Sequence, residues 1–237
     1  MDVSTPLVIE VTGLVKNYQG LRPLRIATLE VRSGERVSLA GLDATAAEVF
    51  VNLLNGAILP DQGEVRVFDQ PTTAIGNENE WFAFLDRFGI VTPRAVLLEG
   101  LSVRQNLALP FTLEIDTLPA GVHAKTQQLA AEVGIDATML DRPAGSVPIH
   151  VRMRVHLARA LALGPRVLLL EHPTLAVDRD QMPAFARSVR DVSVARQLTV
   201  LAVTEDVIFA DVVAERALRL QGATGAIVNA RGWRRWF

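Results

Sequence analysis

Among the acidic and histidine side chains of this sequence, Glu48, Glu171, His172 and Glu205 are candidates for binding a divalent cation together. Carboxylates combined with an imidazole suit Mn²⁺, Zn²⁺ or Mg²⁺, so a fold that brought these side chains together could hold a metal ion. The alternative is that the carboxylates pair with nearby arginines and have only a structural role. We favour that second interpretation, and therefore expect no metal.

A second candidate is a loop for phosphate groups. Arg36–Ala40 is a short apolar run typical of a strand, and Gly41 and a segment with helical spacing over residues 46–55 follow it. This order of strand, glycine and helix is where a phosphate-binding loop would lie, because the amides of a helix N-terminus can bind anions. We predict Thr45 as the N-cap of the helix, with Asp43 as the alternative.

Alternating strands and helices position these residues. Uninterrupted aliphatic runs at residues 167–170 and 199–203 are typical of strands in the middle of a parallel sheet. The order of elements predicts an α/β fold with a mainly parallel sheet. The predicted strands are 7–11, 26–31, 36–40, 64–68, 88–91, 167–170, 199–203, 216–220 and 226–228, and the predicted helices are 46–55, 80–86, 103–108, 124–133, 151–163, 180–196 and 206–213.

The composition excludes several classes of protein. The 237 residues include 24 basic and 26 acidic side chains, and a net charge of −2 argues against a nucleic-acid binder that works through a large basic field. The absence of cysteine excludes disulfides, thiolate metal sites and cysteine nucleophiles. Because no apolar run approaches the roughly 18–20 residues of a membrane span, we expect a soluble, cytoplasmic chain. Only two of the basic residues, Lys16 and Lys125, are lysines.

Two longer phrases indicate a family: RVHLARALALGPRVLLLEHPTLAVD at residues 154–178 and LTVLAVTEDVIFAD at residues 198–211. The chain resembles the ATP-binding subunits of ABC transporters from residue 8 to about residue 228. Residues 100–110 are most similar to subunits of lipoprotein, lipid or macrolide export systems. The resemblance implies one ABC-type P-loop ATPase domain over residues 1–237, with a mainly parallel core, an N-terminal antiparallel β subdomain and a helical subdomain at about residues 102–151.

The resemblance also implies where a nucleotide would bind. The phosphate loop of the family reads G-x-x-x-x-G-K-[ST], in which lysine contacts the phosphates and the hydroxyl binds Mg²⁺. Here Gly41 keeps the first glycine, while Ala46, Ala47 and Glu48 replace the second glycine, the lysine and the hydroxyl. Tyr18 matches the aromatic residue that stacks on adenine. The vestigial nucleotide site that the resemblance implies comprises Tyr18, Gly41, Thr45 and Glu48.

Other family positions differ as well. Glu171 stands for the aspartate of the magnesium-binding strand, His172 for the catalytic glutamate, and Glu205 for the switch histidine. Residues 147–151 (VPIHV) replace the signature LSGGQ, and Pro93 replaces a glutamine. The sequence retains Arg154, Arg159, Pro173, Thr174 and Asp178.

Electrostatics decides how well this loop would bind a triphosphate. At 5 Å and an effective dielectric constant of about 20, each contact between a carboxylate and a phosphate costs roughly 3 kcal/mol. The helix N-terminus returns only about 0.3–1 kcal/mol. We therefore predict no required cofactor, with Mg·ATP binding weak or absent.

The resulting hypothesis is a catalytically inactive, structural or regulatory subunit of a membrane transport complex. Its expected partners are a membrane permease, an active ABC ATPase subunit or both, in a dimer, at the inner face of the cell membrane. One alternative is an unconventional ATPase that uses Glu171 for magnesium and His172 as the base. Another is a metal-dependent or small-ligand-binding module unrelated to transport. The arginines and aromatics of residues 231–237 suit either a membrane interface or partner, or packing against the domain itself.

Overall fold

Two β-sheets form the framework of the structure, a computed structural model that describes residues 5–230. The antiparallel sheet has the strand order β2–β1–β4–β5, and the larger sheet has the order β10–β9–β3–β8–β7–β6. All neighbouring strands of the larger sheet are parallel except the edge pair β9 and β10. The strands are β1 Leu7–Lys16, β2 Leu24–Arg32, β3 Arg36–Ala40, β4 Gln62–Val67, β5 Gln70–Pro71, β6 Phe88–Val91, β7 Val167–Glu171, β8 Thr199–Val203, β9 Arg216–Gln221 and β10 Ala226–Asn229.

The α-helices lie between the strands of the larger sheet or follow them. They are α1 Ala44–Leu54, α2 Glu78–Leu85, α3 Val103–Ala108, α4 Ala120–Glu132, α5 Ile149–Leu161, α6 Met182–Ala195 and α7 Val207–Val213. Short 3-10 turns occur at Thr72–Ala74, Ala137–Met139 and Ala144–Ser146. Helices α3 and α4 pack against each other, and both contact α5.

The larger sheet is buried on both faces, which explains its uninterrupted aliphatic strands. Along β7, Leu168 and Leu170 belong to a hydrophobic cluster shared with helices α3 to α7. Val167 and Leu169 point the other way, into a cluster shared with α1 and the antiparallel sheet. The alternation of side chains along one strand therefore joins the two halves of the core.

The predicted α/β fold with a mainly parallel sheet is confirmed; the short strand β5 was not predicted, and the other differences in strands and α-helices lie at the ends of elements. Strand β1 continues past residue 11, because Gly13 takes a positive φ of 59° where the pairing with β4 shifts register. Helix α5 begins two residues before the predicted start, because Pro148 lies at its N-cap. Among the described residues no helix has the length and apolarity to span a bilayer. Residues 231–237 lie outside the described part.

Candidate functional site

The candidate site lies at the carboxyl ends of β3, β7 and β8. These strands are parallel and adjacent in the order β3–β8–β7, so the segments that follow them meet at one edge of the sheet. Gly41 follows β3, Glu171 ends β7, and Glu205 comes two residues after β8. The fold therefore brings these sequence-predicted positions to the same edge of the sheet.

Gly41 occupies a position that only glycine fits. Its φ is 95°, and a Cβ atom there would lie 2.3 Å from the carbonyl oxygen of Leu220 in β9. The N–H of Gly41 donates to Oε1 of Glu205. The first backbone donor of the loop is thus engaged by a carboxylate of the chain.

The helix after this loop begins early. Asp43 is the N-cap of α1, since it has extended backbone angles and its Oδ1 accepts from the N–H of Ala46 at 2.8 Å. The carbonyl oxygen of Asp43 accepts from the N–H of Ala47, also at 2.8 Å. The prediction of Thr45 as N-cap is wrong, because Thr45 already lies inside the helix. Asp43 thus accepts from two amides of the first turn of α1, one through its side chain and one through its backbone carbonyl.

Arg94 forms the most extensive charged contact of the site. Its Nη1 and Nη2 donate to Oε1 and Oε2 of Glu171 at 2.6 and 2.8 Å. Nη1 also lies 3.1 Å from Oε2 of Glu48 in α1. The side chain of Glu171 is only 2% exposed, whereas those of Arg94 and Glu48 are 43% and 42% exposed. One guanidinium therefore joins α1, β7 and the loop after β6.

Sequence reasoning did not select Arg94. It follows Pro93 in the loop after β6, and it is separated from Glu171 by 77 positions. Three carboxylates near a loop without lysine were a signal that a cation had to come from elsewhere in the chain. Glu48 and Glu171 thus pair with an arginine, in agreement with the second interpretation of the sequence.

Glu205 belongs to a separate pair. Besides accepting from Gly41, it pairs through Oε2 with Nη2 of Arg219 at 3.1 Å, on an exposed part of the surface. In the part of the chain that the structure describes, no three carboxylates or imidazoles are grouped so that they could hold a metal ion. The metal hypothesis therefore has no ligand cluster in this part of the chain.

His172 is buried and has a left-handed backbone conformation. Its φ is 41°, its exposure is 9%, and its backbone N–H donates to the carbonyl oxygen of Val203 at 2.8 Å. A positive φ is uncommon outside glycine, but histidine is one of the residues in which it occurs most often. Among the described residues its Nε2 has no hydrogen-bond partner.

Tyr18, which the resemblance assigns to adenine stacking, lies near enough to Asp43 to be affected by its charge. It is half-buried and packs against the cluster that contains α1. Burial raises the pKa of its hydroxyl, and the negative charge of Asp43 adds to the increase. Thr45, by contrast, is exposed on the first turn of α1.

The segment that replaces the signature, residues 147–151, contains buried apolar side chains. Val147 and Val151 are buried, and no side chain caps the start of α5 at Pro148. Arg154 and Arg159 of the same helix are bound within the fold: Nε of Arg154 contacts Oγ of Ser188 at 3.3 Å, and Nη1 of Arg159 donates to the carbonyl oxygen of Val96 at 2.8 Å. Burial lowers the pKa of both guanidinium groups.

Comparison with known proteins gives one consistent result. A family model described as ABC transporter matches residues 24–175. The chain is 31% identical over 178 residues to the lipoprotein-releasing system ATP-binding protein LolD of Chromohalobacter salexigens. The aligned region covers 73% of this chain and 74% of LolD. It is 27% identical over 184 residues to the ABC transporter ATP-binding protein YtrE of Bacillus subtilis, covering 77% and 78%.

A solved structure has the same fold. The dimeric post-hydrolysis state of the ATP-binding cassette MJ0796, bound to ADP and Pi, superposes with a TM-score of 0.76 at 21% identity, covering 95% of this chain and all of that one. At this identity the match concerns the fold, and it confirms the architecture expected from residues 154–178 and 198–211.

Proposed function

The chain belongs to the ABC transporter family, and on that premise we propose that it is a subunit that keeps the nucleotide-binding fold without hydrolysing ATP. Its role is structural or regulatory, within a membrane transport complex. The proposal rests on one observation above all: Arg94 bridges Glu171 and Glu48, two residues that the resemblance aligns with magnesium-binding positions.

Arg94 is central to this proposal. By the resemblance, Glu48 replaces the hydroxyl that binds magnesium in the family, and Glu171 replaces the aspartate of the magnesium-binding strand. Arg94 is next to the position of the family's loop glutamine. Its guanidinium makes a bidentate contact with Glu171 and a third contact with Glu48. Because a guanidinium is planar and permanently charged, it can contact two carboxylates at once. The chain thus supplies a cation of its own between these positions.

The backbone donors of the loop support the same conclusion. The amides of Gly41 and Ala46 already donate to carboxylate oxygens of Glu205 and Asp43. A triphosphate would have to displace two carboxylates, and it would gain no lysine in return. Each remaining carboxylate within about 5 Å of a phosphate would cost roughly 3 kcal/mol. These residues therefore do not fit Mg·ATP in the pose of the family.

The unconventional ATPase is the second candidate. It needs Glu171 free for magnesium, whereas both oxygens of Glu171 accept from Arg94. Arg94 would have to leave before Glu171 could act.

The relatives suggest the setting. LolD is named as part of a lipoprotein-releasing system, and YtrE as an ABC transporter protein. We propose that this chain likewise works with a membrane permease, with an active ABC ATPase subunit, or with both. It would dimerise and lie at the inner face of the membrane through these partners.

Phosphate release from Mg·ATP by the purified chain tests the proposal. We expect no release above the rate of the Glu171→Gln variant, because Glu171 has no catalytic role. Release by the parent that Glu171→Gln and His172→Ala both abolish, and that Arg187→Gln does not change, would establish the ATPase alternative. Arg187 is exposed on α6, so it is a suitable control.

A further inference from the structure

Arg94 lies in a segment without regular secondary structure. Residues 92–101, between β6 and α3, contain neither helix nor strand. A bidentate contact between a guanidinium and a carboxylate requires a defined geometry of both groups. Glu171 is fixed at the end of β7, so the distances of 2.6 and 2.8 Å between its oxygens and the guanidinium nitrogens depend on how the backbone at Arg94 is held.

The backbone on the β6 side of Arg94 is fixed by a short turn. The N–H of Ala95 donates to the carbonyl oxygen of Thr92 at 3.1 Å, and the N–H of Arg94 donates to Oγ1 of Thr92 at 3.3 Å. Thr92 follows directly on β6, and β6 pairs with β7. This side of the loop is therefore tied to the strand that ends in Glu171.

On the other side, side chains from two helices hold the loop. Nη1 of Arg159 in α5 donates to the carbonyl oxygen of Val96 at 2.8 Å. Asn106 in α3 binds both backbone groups of Leu98: its Oδ1 accepts from the N–H at 2.9 Å, and its Nδ2 donates to the carbonyl oxygen at 3.0 Å. Leu97, between these two contacts, is buried in the hydrophobic cluster that α3 and α5 share.

The burial of these two polar side chains requires compensating contacts. Asn106 is 0% exposed, and the hydrogen bonds of its side chain all go to the backbone of residues 98–102. Arg159 is half-buried, and burial lowers its pKa. A guanidinium withdrawn from water costs free energy unless it gains partners. Among the described residues Arg159 pairs with no carboxylate, and the hydrogen bond of its side chain goes to Val96.

We propose that Arg159 and Asn106 are positioning residues for Arg94. They hold the loop after β6 so that the guanidinium stays between Glu171 and Glu48. In the described part of the chain neither residue has a hydrogen bond or an ion pair to these carboxylates, so both act through the loop. This inference goes beyond the proposed function, because it concerns how Arg94 is held and not whether the chain hydrolyses ATP.

Double-mutant cycles in the absence of nucleotide test the proposal. Urea denaturation of the parent, Arg94→Gln, Glu171→Gln and the double variant gives the coupling between these two side chains, and the same four proteins are then made with Arg159→Gln. We expect the coupling, written as an equilibrium constant, to be at least about fivefold smaller with Arg159→Gln. Arg159→Lys keeps a donor for the loop and should restore most of the coupling, and Arg187→Gln should leave it unchanged. A purely structural role of Arg159 would lower stability without changing the coupling.

NMR of the Arg94 guanidinium provides a second readout, which also applies to Asn106. In the parent we expect separate signals for Nη1 and Nη2, because the bidentate contact stops rotation of the group. In Asn106→Ala and in Arg159→Gln these signals should merge, whereas Arg187→Gln should match the parent. If Asn106→Ala does not fold, the measurements on Arg159 decide.

Two results would overturn the proposal. One is a coupling between Arg94 and Glu171 that Arg159→Gln leaves unchanged while circular dichroism shows that the variant is folded. The other is restricted rotation of Arg94 that persists in the folded positioning variants. Hydrolysis of ATP by the parent would contradict the proposed function and would leave both of these measurements valid.

Discussion

Two buried glutamates, one at each end of the larger sheet, are each held by a bidentate arginine. At the amino end, Oε1 and Oε2 of Glu35 accept from Nε and Nη2 of Arg216 at 2.6 and 3.0 Å. At the carboxyl end, Glu171 accepts from Arg94 at 2.6 and 2.8 Å. Glu35 is 7% exposed and Glu171 is 2% exposed. The two pairs are chemically alike.

The surroundings of the two pairs differ. Glu35 also accepts from the N–H of Arg32 at 2.9 Å, and Arg216 also donates to the carbonyl oxygen of Glu30. The amino-end pair is therefore bound into the backbone of β2. Among the described residues Glu171 has side-chain hydrogen bonds only to Arg94, which bridges to Glu48. One pair secures the framework, while the other joins α1, β7 and the loop after β6.

Loss of either arginine should have the largest effect on stability. Arg94→Ala leaves the carboxylate of Glu171 buried without a partner, and we expect the free energy of unfolding to fall by about 3 kcal/mol. Arg216→Ala should cost less, about 2 kcal/mol, because Glu35 keeps the amide of Arg32. Urea denaturation followed by circular dichroism measures both values. A larger loss at Arg216 would reverse the comparison.

Replacing both residues of each pair should reveal a further difference in stability between the amino-end pair and the carboxyl-end pair. Arg94→Leu with Glu171→Leu removes the buried charges together, and the free energy of unfolding should return to within about 1 kcal/mol of the parent. Arg216→Leu with Glu35→Leu should stay about 1–2 kcal/mol lower, because the amide of Arg32 loses its acceptor. The same denaturation experiment applies. Equal recovery at both ends would show that the backbone contacts of Glu35 contribute little.

The N-cap of α1, at the carboxyl end of the larger sheet, should have a smaller effect on stability, and a matched control is available. Asp43→Ala should lower the free energy of unfolding by about 1 kcal/mol, because the N–H of Ala46 loses its side-chain acceptor. Thr45→Ala, on the same exposed turn, should change it by less than about 0.5 kcal/mol. Thermal unfolding of the two variants decides between the two caps, and the opposite order would favour Thr45.

The smallest effect belongs to Glu205 and Arg219. Both side chains are well exposed, at 50% and 38%, so their pair should contribute about 0.2–1 kcal/mol. A double-mutant cycle with Glu205→Ala and Arg219→Ala measures this coupling energy, and 1 M salt should reduce it. Coupling above that range, or coupling that is insensitive to salt, would mean that this pair resembles the buried one.

The sequence was sufficient for the fold and partly sufficient for the site. The aliphatic runs at residues 167–170 and 199–203 predicted the central parallel strands, because strands covered on both faces need no alternation. The family phrases predicted which positions meet at the sheet edge. Arg94 was missed because most basic residues of this chain are arginines, so neither its type nor its spacing distinguishes it.

The N-cap shows the same limit at shorter range. Asp43 and Thr45 both have side chains that cap helices, and only the backbone angles of Asp43 decide between them.

The central claim is that the chain's own side chains fill the place of magnesium and phosphate. Calorimetric titration of the parent chain with a non-hydrolysable ATP analogue in the presence of Mg²⁺ tests it most directly. We predict no saturable heat at millimolar analogue, because Arg94 and the loop amides are already engaged. Binding of one nucleotide per chain with a micromolar Kd would contradict it.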